Sequence, residues 1–248
     1  MSEHWSPMDM LNSNSHLTIV GGTRSGKTNA AIYYSKVKQQ QGRRVIFITA
    51  KPESNYRGMF DKRYTDDVDG AMKSLIKEPT KSVLLEMDID NADEVGRLLD
   101  GIGLYLRENM EKKDKDKTPP ITVFVDEISL LVRNKADNSD TNVSLTRASA
   151  TWMAYDGQLV SIAQRSSMIH HTVLTQSDLL MFQVPRGDIN TLKGIVYPDL
   201  QDGEITNYLE TEQYHSVFIS GFNVNYLKPV PLQEVGRDAN GLPTDSPP

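Results

Sequence analysis

The segment GGTRSGKT, residues 21–28, decides which fold this sequence can adopt. It fits the pattern G-x-x-x-x-G-K-[S/T] at every fixed position, and a short apolar run, Leu17–Val20, leads into it. The stretch from Lys27 to Gln41 predicts a helix, which Gly42 ends. A strand, a glycine-rich loop and a helix in this order aim backbone N–H groups at phosphate oxygens. The sequence therefore predicts a phosphate-binding loop at this position.

Each residue type in this loop has a physical role in holding a nucleoside triphosphate. Glycines let the backbone curl, so that successive N–H groups can point towards one ligand. Lys27 is expected to reach the β- and γ-phosphates, and the Thr28 hydroxyl is expected to ligate Mg²⁺. The predicted nucleotide-binding residues are Gly21, Gly22, Thr23, Arg24, Ser25, Gly26, Lys27 and Thr28.

An acidic pair supplies the second half of the predicted site. The run Ile121–Val125 is apolar enough to be a strand buried on both faces, and Asp126 and Glu127 follow it directly. Asp126 is expected to hold the Mg²⁺ shell, and Glu127 to polarise an attacking water as general base. The pair favours hydrolysis over transfer to a second substrate.

The rest of the chain alternates short apolar runs with helical stretches, which indicates an α/β fold with a mostly parallel central sheet flanked by helices. One ATPase domain is expected over residues 15–228, between a flexible segment, 1–14, and a Pro-rich tail, 229–248. Further strands are predicted at Arg44–Ala50, Ser82–Met87, His171–Thr175 and Ser216–Ser220. Further helices are predicted at Asp66–Lys77, Asp93–Lys113 and Ser144–Gln164.

Composition narrows the classes of function. The chain contains no cysteine, which excludes disulfides and cysteine-ligated zinc, and its five histidines lack metal-site spacing. No apolar stretch approaches the roughly 18 residues that a membrane span needs. The net charge of −6 means that contact with nucleic acid has to come from local basic patches. The candidates for such patches are Arg133, Lys135, Arg147 and the lysines of 112–117.

The run RSSMIHHTVLTQ, residues 165–176, carries a resemblance to a known family. It looks like the FtsK–HerA superfamily of DNA pumps, in which an arginine leads into an apolar strand that ends in Thr-Gln. The loop form G-x-T-x-S-G-K-T is also typical of that group, and the Asp126-Glu127 pair lies between the two motifs, as in the family. The resemblance covers roughly residues 15 to 185.

The resemblance implies a RecA-like P-loop NTPase fold of the additional-strand, catalytic-glutamate type, acting on ATP with Mg²⁺. It makes Gln176 the sensor of the γ-phosphate and of the attacking water. It makes Arg165 the first candidate for an arginine finger reaching a neighbouring subunit, with Arg147 and Arg186 as runners-up. Proteins of this family act as homo-oligomeric rings, here expected to be hexamers, which grip double-stranded DNA by its backbone.

The compact length of the chain resembles the packaging ATPases of icosahedral viruses that carry an internal membrane. This implies packaging of a viral genome into a preformed capsid, in the host cytoplasm or at a packaging vertex of the virion. Capsid or viral-membrane proteins are then the expected further partners.

Three alternatives stay open on the sequence alone. A cellular or plasmid DNA pump of the same superfamily carries the same motifs. A P-loop kinase would use Asp126 and Glu127 to orient an acceptor hydroxyl, although the arginine-rich lid of kinases is not found. A nucleotide-switched assembly protein would hydrolyse slowly. Residues 134–137 fit the guanine-reading pattern N-K-x-D but lie too soon after Asp126, so ATP is favoured over GTP.

Overall fold

The fold is a nine-stranded sheet within the described part of the chain. In the computed structural model the described residues are 14–50, 56, 58–78, 80–111, 119–131, 140–197, 202–211, 214–221 and 223–230. The strands are β1 (His16–Val20), β2 (Arg44–Thr49), β3 (Lys62–Thr65), β4 (Val83–Glu86), β5 (Ile121–Asp126), β6 (Gly157–Ala163), β7 (Ser177–Met181), β8 (Ser216–Ser220) and β9 (Asn223–Leu227).

The strand order is β3-β4-β2-β5-β6-β1-β7-β8-β9. The first seven strands in that order pair in parallel, whereas β8 and β9 are antiparallel additions at one side. Strand β6 therefore separates β1, which leads into the phosphate-binding loop, from β5, which ends in the acidic pair. This order confirms the predicted α/β class and the predicted additional strand.

Helices cover both faces of the sheet. They are α1 (Lys27–Gln40), α2 (Val68–Lys77), α3 (Ala92–Glu111), α4 (Ile128–Leu131), α5 (Asp140–Thr151), α6 (His171–Thr175), α7 (Arg186–Ile195) and α8 (Asp202–Thr211). Alternate residues of each central strand enter separate cores. Phe47 and Phe124 pack under α1 on one face, and Ile48 and Val125 pack under α2, α3 and α5 on the other. Central strands buried on both faces are typical of parallel sheets.

The predicted helix Ser144–Gln164 is correct only in its first part. Helix α5 ends at Thr151, a 3-10 turn follows, and residues 157–163 form β6. Asp156 turns the chain with a left-handed φ of 59°, and a Cβ on Gly157 would lie 2.6 Å from Leu106 Cδ1. All seven residues of β6 are buried, so its sequence shows none of the alternation that marks a half-exposed strand.

The predicted strand His171–Thr175 is wrong, because this segment is helix α6. The side chain of His170 caps it, with Nδ1 accepting a hydrogen bond from the Thr172 N–H at 3.3 Å. The strand that follows is β7, which the sequence did not predict, and β3, β9, α7 and α8 were also missed. The strands predicted near β1, β2, β4, β5 and β8 are confirmed within one or two residues at each end.

Several expectations fall outside the described residues. These are the guanine-reading match at 134–137, the basic candidates Arg133, Lys135 and 112–117, and nearly all of the segments 1–14 and 229–248. Among the residues that are described, no helix is both long enough and apolar enough to cross a membrane.

Candidate functional site

The phosphate-binding loop has the backbone that its glycines predict. Gly26 adopts a left-handed φ of 98°, and Arg24 a left-handed φ of 64°. A Cβ on Gly21 would lie 2.5 Å from Ser25 Oγ and 2.8 Å from Phe182 Cβ, so only glycine fits there. The loop is tied to its neighbours because the Gly22 N–H donates to the Gln183 carbonyl at 2.8 Å. These contacts fix the loop between the ends of β6 and β7.

Lys27 begins helix α1 and is buried, with 5% of its surface exposed. Its Nζ donates a hydrogen bond to the Gly22 carbonyl at 3.2 Å, so the side chain folds back over the loop. Thr28 follows in the first turn of α1 and is half-buried. An ammonium group beside the backbone of a glycine-rich loop is suited to a triphosphate.

The acidic pair lies at the carboxyl end of β5, and both side chains are buried. The Glu127 N–H donates to Asp126 Oδ1 at 2.9 Å. Glu127 itself has a left-handed φ of 50°, which a residue with a Cβ adopts only at a cost of about 1–2 kcal/mol. Such strain is found where the surrounding structure holds a side chain in a required direction.

A tyrosine that the motifs do not include completes the surroundings of Asp126. Tyr56 is buried, its ring packs against Phe47 at 5.2 Å between centroids, and its hydroxyl donates a hydrogen bond to Asp126 Oδ2. Both oxygens of the Asp126 carboxyl therefore accept hydrogen bonds. No sequence signal could have identified Tyr56, because it lies seventy positions before Asp126, outside any motif.

The electrostatics of Asp126 fit a cation-binding group. Burial raises the pKa of the Asp126 carboxyl, and the neighbouring Glu127 raises it further, while the Tyr56 hydrogen bond and the Lys27 charge oppose the shift. A buried carboxylate gains most from a nearby positive charge. Its oxygens and the Thr28 hydroxyl are ligands that Mg²⁺ prefers, so the residues present fit that ion.

The placement predicted for Gln176 is wrong. Gln176 follows α6 and immediately precedes β7, whose first residue, Ser177, pairs with His16 at the start of β1. The loop begins beyond Val20, at the other end of β1, and about 13 Å of strand separates Ser177 from Met181. Gln176 therefore lies at the edge of the sheet opposite to the phosphate-binding loop.

Gln164 occupies the position that was expected for Gln176. It follows the last residue of β6, and its Nε2 donates to both oxygens of Glu127, at 3.3 and 3.2 Å. The Gly21 N–H donates to the Ala163 carbonyl at 3.3 Å, which places Gln164 beside the loop. The apolar run before Gln164 is a sequence signal that could have identified it. A polar residue directly after a buried strand is a candidate site residue, and this holds for Gln164 as it does for Gln176.

The three candidate arginines lie in different surroundings. Arg165 is exposed and directly follows Gln164. Its carbonyl accepts a hydrogen bond from the Met168 N–H at 3.1 Å, but its side chain makes no hydrogen bond or ion pair with another described residue. Arg186 is also exposed and begins α7, beyond the carboxyl end of β7. Arg147 binds Asp100 on α3 at 2.7 Å. The Ser166 hydroxyl contacts the Asp188 carboxyl at 3.2 Å, which ties the turn after Arg165 to α7.

The fold agrees with that of several solved P-loop proteins. One is the genome packaging NTPase B204 from Sulfolobus turreted icosahedral virus 2 in complex with ATP-gammaS, at 16% identity and a TM-score of 0.61, covering 87% of this chain and 97% of that one. Another is VirB4 of Thermoanaerobacter pseudethanolicus, at 13% identity and a TM-score of 0.59, covering 87% and 89%.

A third similar structure is the cytoplasmic domain of the Thermomonospora curvata Type VII Secretion ATPase EccC, at 12% identity and a TM-score of 0.60. That match covers 89% of this chain and 26% of the other. No protein-family model and no curated protein matches the sequence. The fold expected from the resemblance of the motifs is thus confirmed.

The two glutamines provide a matched test of the site. Gln164→Ala removes the donor that holds Glu127, and we expect the rate of ATP turnover to fall about 100-fold, as for other lost donors at a reacting centre. Gln176→Ala should leave turnover within about twofold of wild type, because it lies at the opposite edge of the sheet. Steady-state kinetics at saturating ATP and Mg²⁺ measures both. An effect of Gln176→Ala as large as that of Gln164→Ala would contradict the assignment.

The Tyr56 hydroxyl should support cation binding at Asp126. Tyr56→Phe removes one hydrogen bond to the carboxylate, and lost partners of a metal-ligating group cost about 10- to 100-fold in metal affinity or activity. We expect the Mg²⁺ concentration for half-maximal turnover to rise by a factor in that range. Tyr34→Phe is the control, since Tyr34 is equally buried on the same face of the sheet. Equal effects of both substitutions would mean that losing any buried hydroxyl on this face lowers turnover, and that Tyr56 has no special role at Asp126.

Proposed function

We propose that this chain is an ATP-hydrolysing motor that moves double-stranded DNA, and that it packages a viral genome into a preformed capsid. The observation that supports the chemistry is the gathering of Lys27, Asp126, Glu127 and Gln164 around the carboxyl ends of β1, β5 and β6. The segments that follow these three strands thus offer an ammonium group, two carboxylates and an amide to a single triphosphate.

In the proposed reaction, Glu127 accepts a proton from a water molecule as the water oxygen attacks the γ-phosphorus. The bond between the γ-phosphorus and the β–γ bridging oxygen breaks, and ADP and inorganic phosphate are the products. Gln164 holds the Glu127 carboxylate through its amide N–H groups and thereby sets the direction of proton transfer. Lys27 exchanges its contact with the Gly22 carbonyl for the β- and γ-phosphates.

Mg²⁺, held by the Thr28 hydroxyl and the Asp126 carboxylate, would neutralise charge on the β- and γ-phosphates. Tyr56 keeps that carboxylate in one orientation while the nucleotide is absent. Hydrolysis is favoured over a kinase reaction because the base, Glu127, is buried and held by Gln164, which leaves room for a water rather than a larger acceptor.

A ring of identical chains would complete the site. Arg165 is the preferred finger, because it is exposed, its guanidinium has no partner among the described residues, and it lies one residue beyond Gln164. Arg186 remains a second candidate. Arg147 is less suited, since it would have to leave Asp100. A finger supplied by a neighbouring subunit contributes about 10³- to 10⁵-fold to phosphoryl-transfer rates in other P-loop proteins.

The DNA part of the proposal rests on the resemblance of the motifs and on the names of proteins with a similar fold. These include a genome packaging NTPase and the conjugation coupling protein TcpA. The packaging enzyme is similar in length, since 97% of it is covered. Location in the host cytoplasm or at a packaging vertex follows from the same proposal. A cellular or plasmid DNA pump is the second candidate, favoured by the likeness to the pCW3 conjugation coupling protein TcpA, which covers 87% of this chain and 60% of that one.

Turnover with and without DNA tests the motor directly. We expect the wild-type protein to hydrolyse ATP faster when blunt duplex DNA is added, and to lose the stimulation as salt rises, because contacts to the phosphate backbone are screened. Glu127→Gln should lower turnover about 10²- to 10⁴-fold, the usual contribution of a general base, while binding of ATP is retained. A protein that turns over ATP equally with and without duplex would favour the assembly-switch alternative.

Mixed variants test whether Arg165 acts on a neighbouring subunit. Arg165→Ala and Lys27→Ala should each be inactive alone. Mixing them creates interfaces that combine an intact loop from one chain with an intact arginine from another, so we expect turnover to reappear. If the mixture stays as inactive as its components, Arg165 does not act between subunits. Arg147→Ala in place of Arg165→Ala is the control and should be active alone.

A further inference from the structure

An exposed aromatic ring lies against the phosphate-binding loop. A Cβ built on Gly26 would lie 3.0 Å from Tyr214 Cδ1 and 3.7 Å from Tyr214 Cβ, so the tyrosine is in contact with the loop at the residue that precedes Lys27. Even so, 47% of the tyrosine surface remains exposed. Tyr214 is therefore the large apolar side chain that the described structure offers to solvent beside the loop.

The chain topology brings Tyr214 to the correct edge of the sheet. It precedes β8, which runs antiparallel to β7, with Val217 paired to Met181. Because Met181 ends β7 and pairs with Val20 at the end of β1, the start of β8 lies at the edge where the loop begins. A segment distant in sequence thus meets the loop at its rim.

The backbone of Tyr214 is held in an unfavourable conformation. Its φ is 68°, in the left-handed region that bulky residues seldom occupy. The next residue is fixed in place, since the His215 ring stacks on Tyr208 with 4.7 Å between centroids and an interplanar angle of 12°. Tyr208 in turn donates a hydrogen bond to the Leu227 carbonyl at 3.0 Å. This aromatic anchor keeps the Tyr214 side chain directed at Gly26 rather than into the core.

We propose that Tyr214 stacks on the base of the bound nucleotide. The inference rests on the proposed function, in which the loop encloses the phosphates. The nucleoside must then extend over the rim of the loop, where the exposed face of Tyr214 is available. Burial of an exposed aromatic face against a purine is favourable, and every base has such a face. Tyr214 therefore selects nucleotides over inorganic phosphates and does not distinguish adenine from guanine.

Calorimetric titration with two probes, a non-hydrolysable ATP analogue and inorganic tripolyphosphate, tests the proposal. Tyr214→Ala should weaken binding of the ATP analogue about 5- to 150-fold, the range for loss of one base–aromatic stack. Its affinity for tripolyphosphate should stay within about twofold of wild type. Tyr214→Phe keeps the ring and should bind both ligands as wild type does. Leu104→Ala removes a side chain that is 48% exposed on α3, which packs on α5, and controls for truncation of a surface residue.

Two results would overturn the stacking role. One is Tyr214→Ala protein that binds the ATP analogue as tightly as wild type. The other is equal weakening for both probes, which would mean that Tyr214 only shapes the loop through Gly26. Failure of the nucleotide binding on which the proposed function depends is distinguishable, because wild-type protein would then bind neither probe and Lys27→Ala would change nothing. In that event both proposals fall, whereas Tyr214→Ala alone decides between base contact and loop support.

Discussion

The arrangement of this site depends on the position of β6 between β1 and β5. Parallel strands that end at the same edge bring together the residues following them. Here those residues are the phosphate-binding loop, Gln164, and the pair Asp126 and Glu127. If β1 and β5 were direct neighbours, Glu127 would lie one strand spacing closer to the loop, and Gln164 would not separate them. In the proposed reaction, the inserted strand thus sets the room available for a water between a carboxylate and a phosphate.

The sequence predicted those parts of the fold in which the local residue pattern and the tertiary structure require the same element. The loop, the strand before it and the helix after it were identified because glycine, lysine and threonine are needed at fixed spacing. β5 was identified because a run of five residues, four of them apolar, ends abruptly in two acids. Sequence failed where two structures share one pattern. The buried run of β6 has no alternation, and it follows α5 so closely that both resemble a single amphipathic helix.

The error over the glutamines has the same origin. Both Gln164 and Gln176 end an apolar run, and the resemblance favoured the later one because an arginine precedes it at the expected spacing. Only the pairing of His16 with Ser177 and of Val20 with Ala163 shows which glutamine reaches the loop. Tyr56 and Tyr214 could not have been predicted either, since long-range contacts join them to Asp126 and Gly26. Residues that reach a site from a distant part of the sequence are thus harder to predict than the residues of the motifs themselves.

Glu127 has a left-handed backbone, which is unfavourable for a side chain with a Cβ but costs glycine nothing. The backbone conformation alone would therefore favour glycine at position 127, by about 1 kcal/mol. The fold tolerates this loss of stability because a helical or extended backbone at position 127 would point the carboxylate away from Gln164. The backbone at position 127 thus favours one residue, whereas the contact with Gln164 requires another.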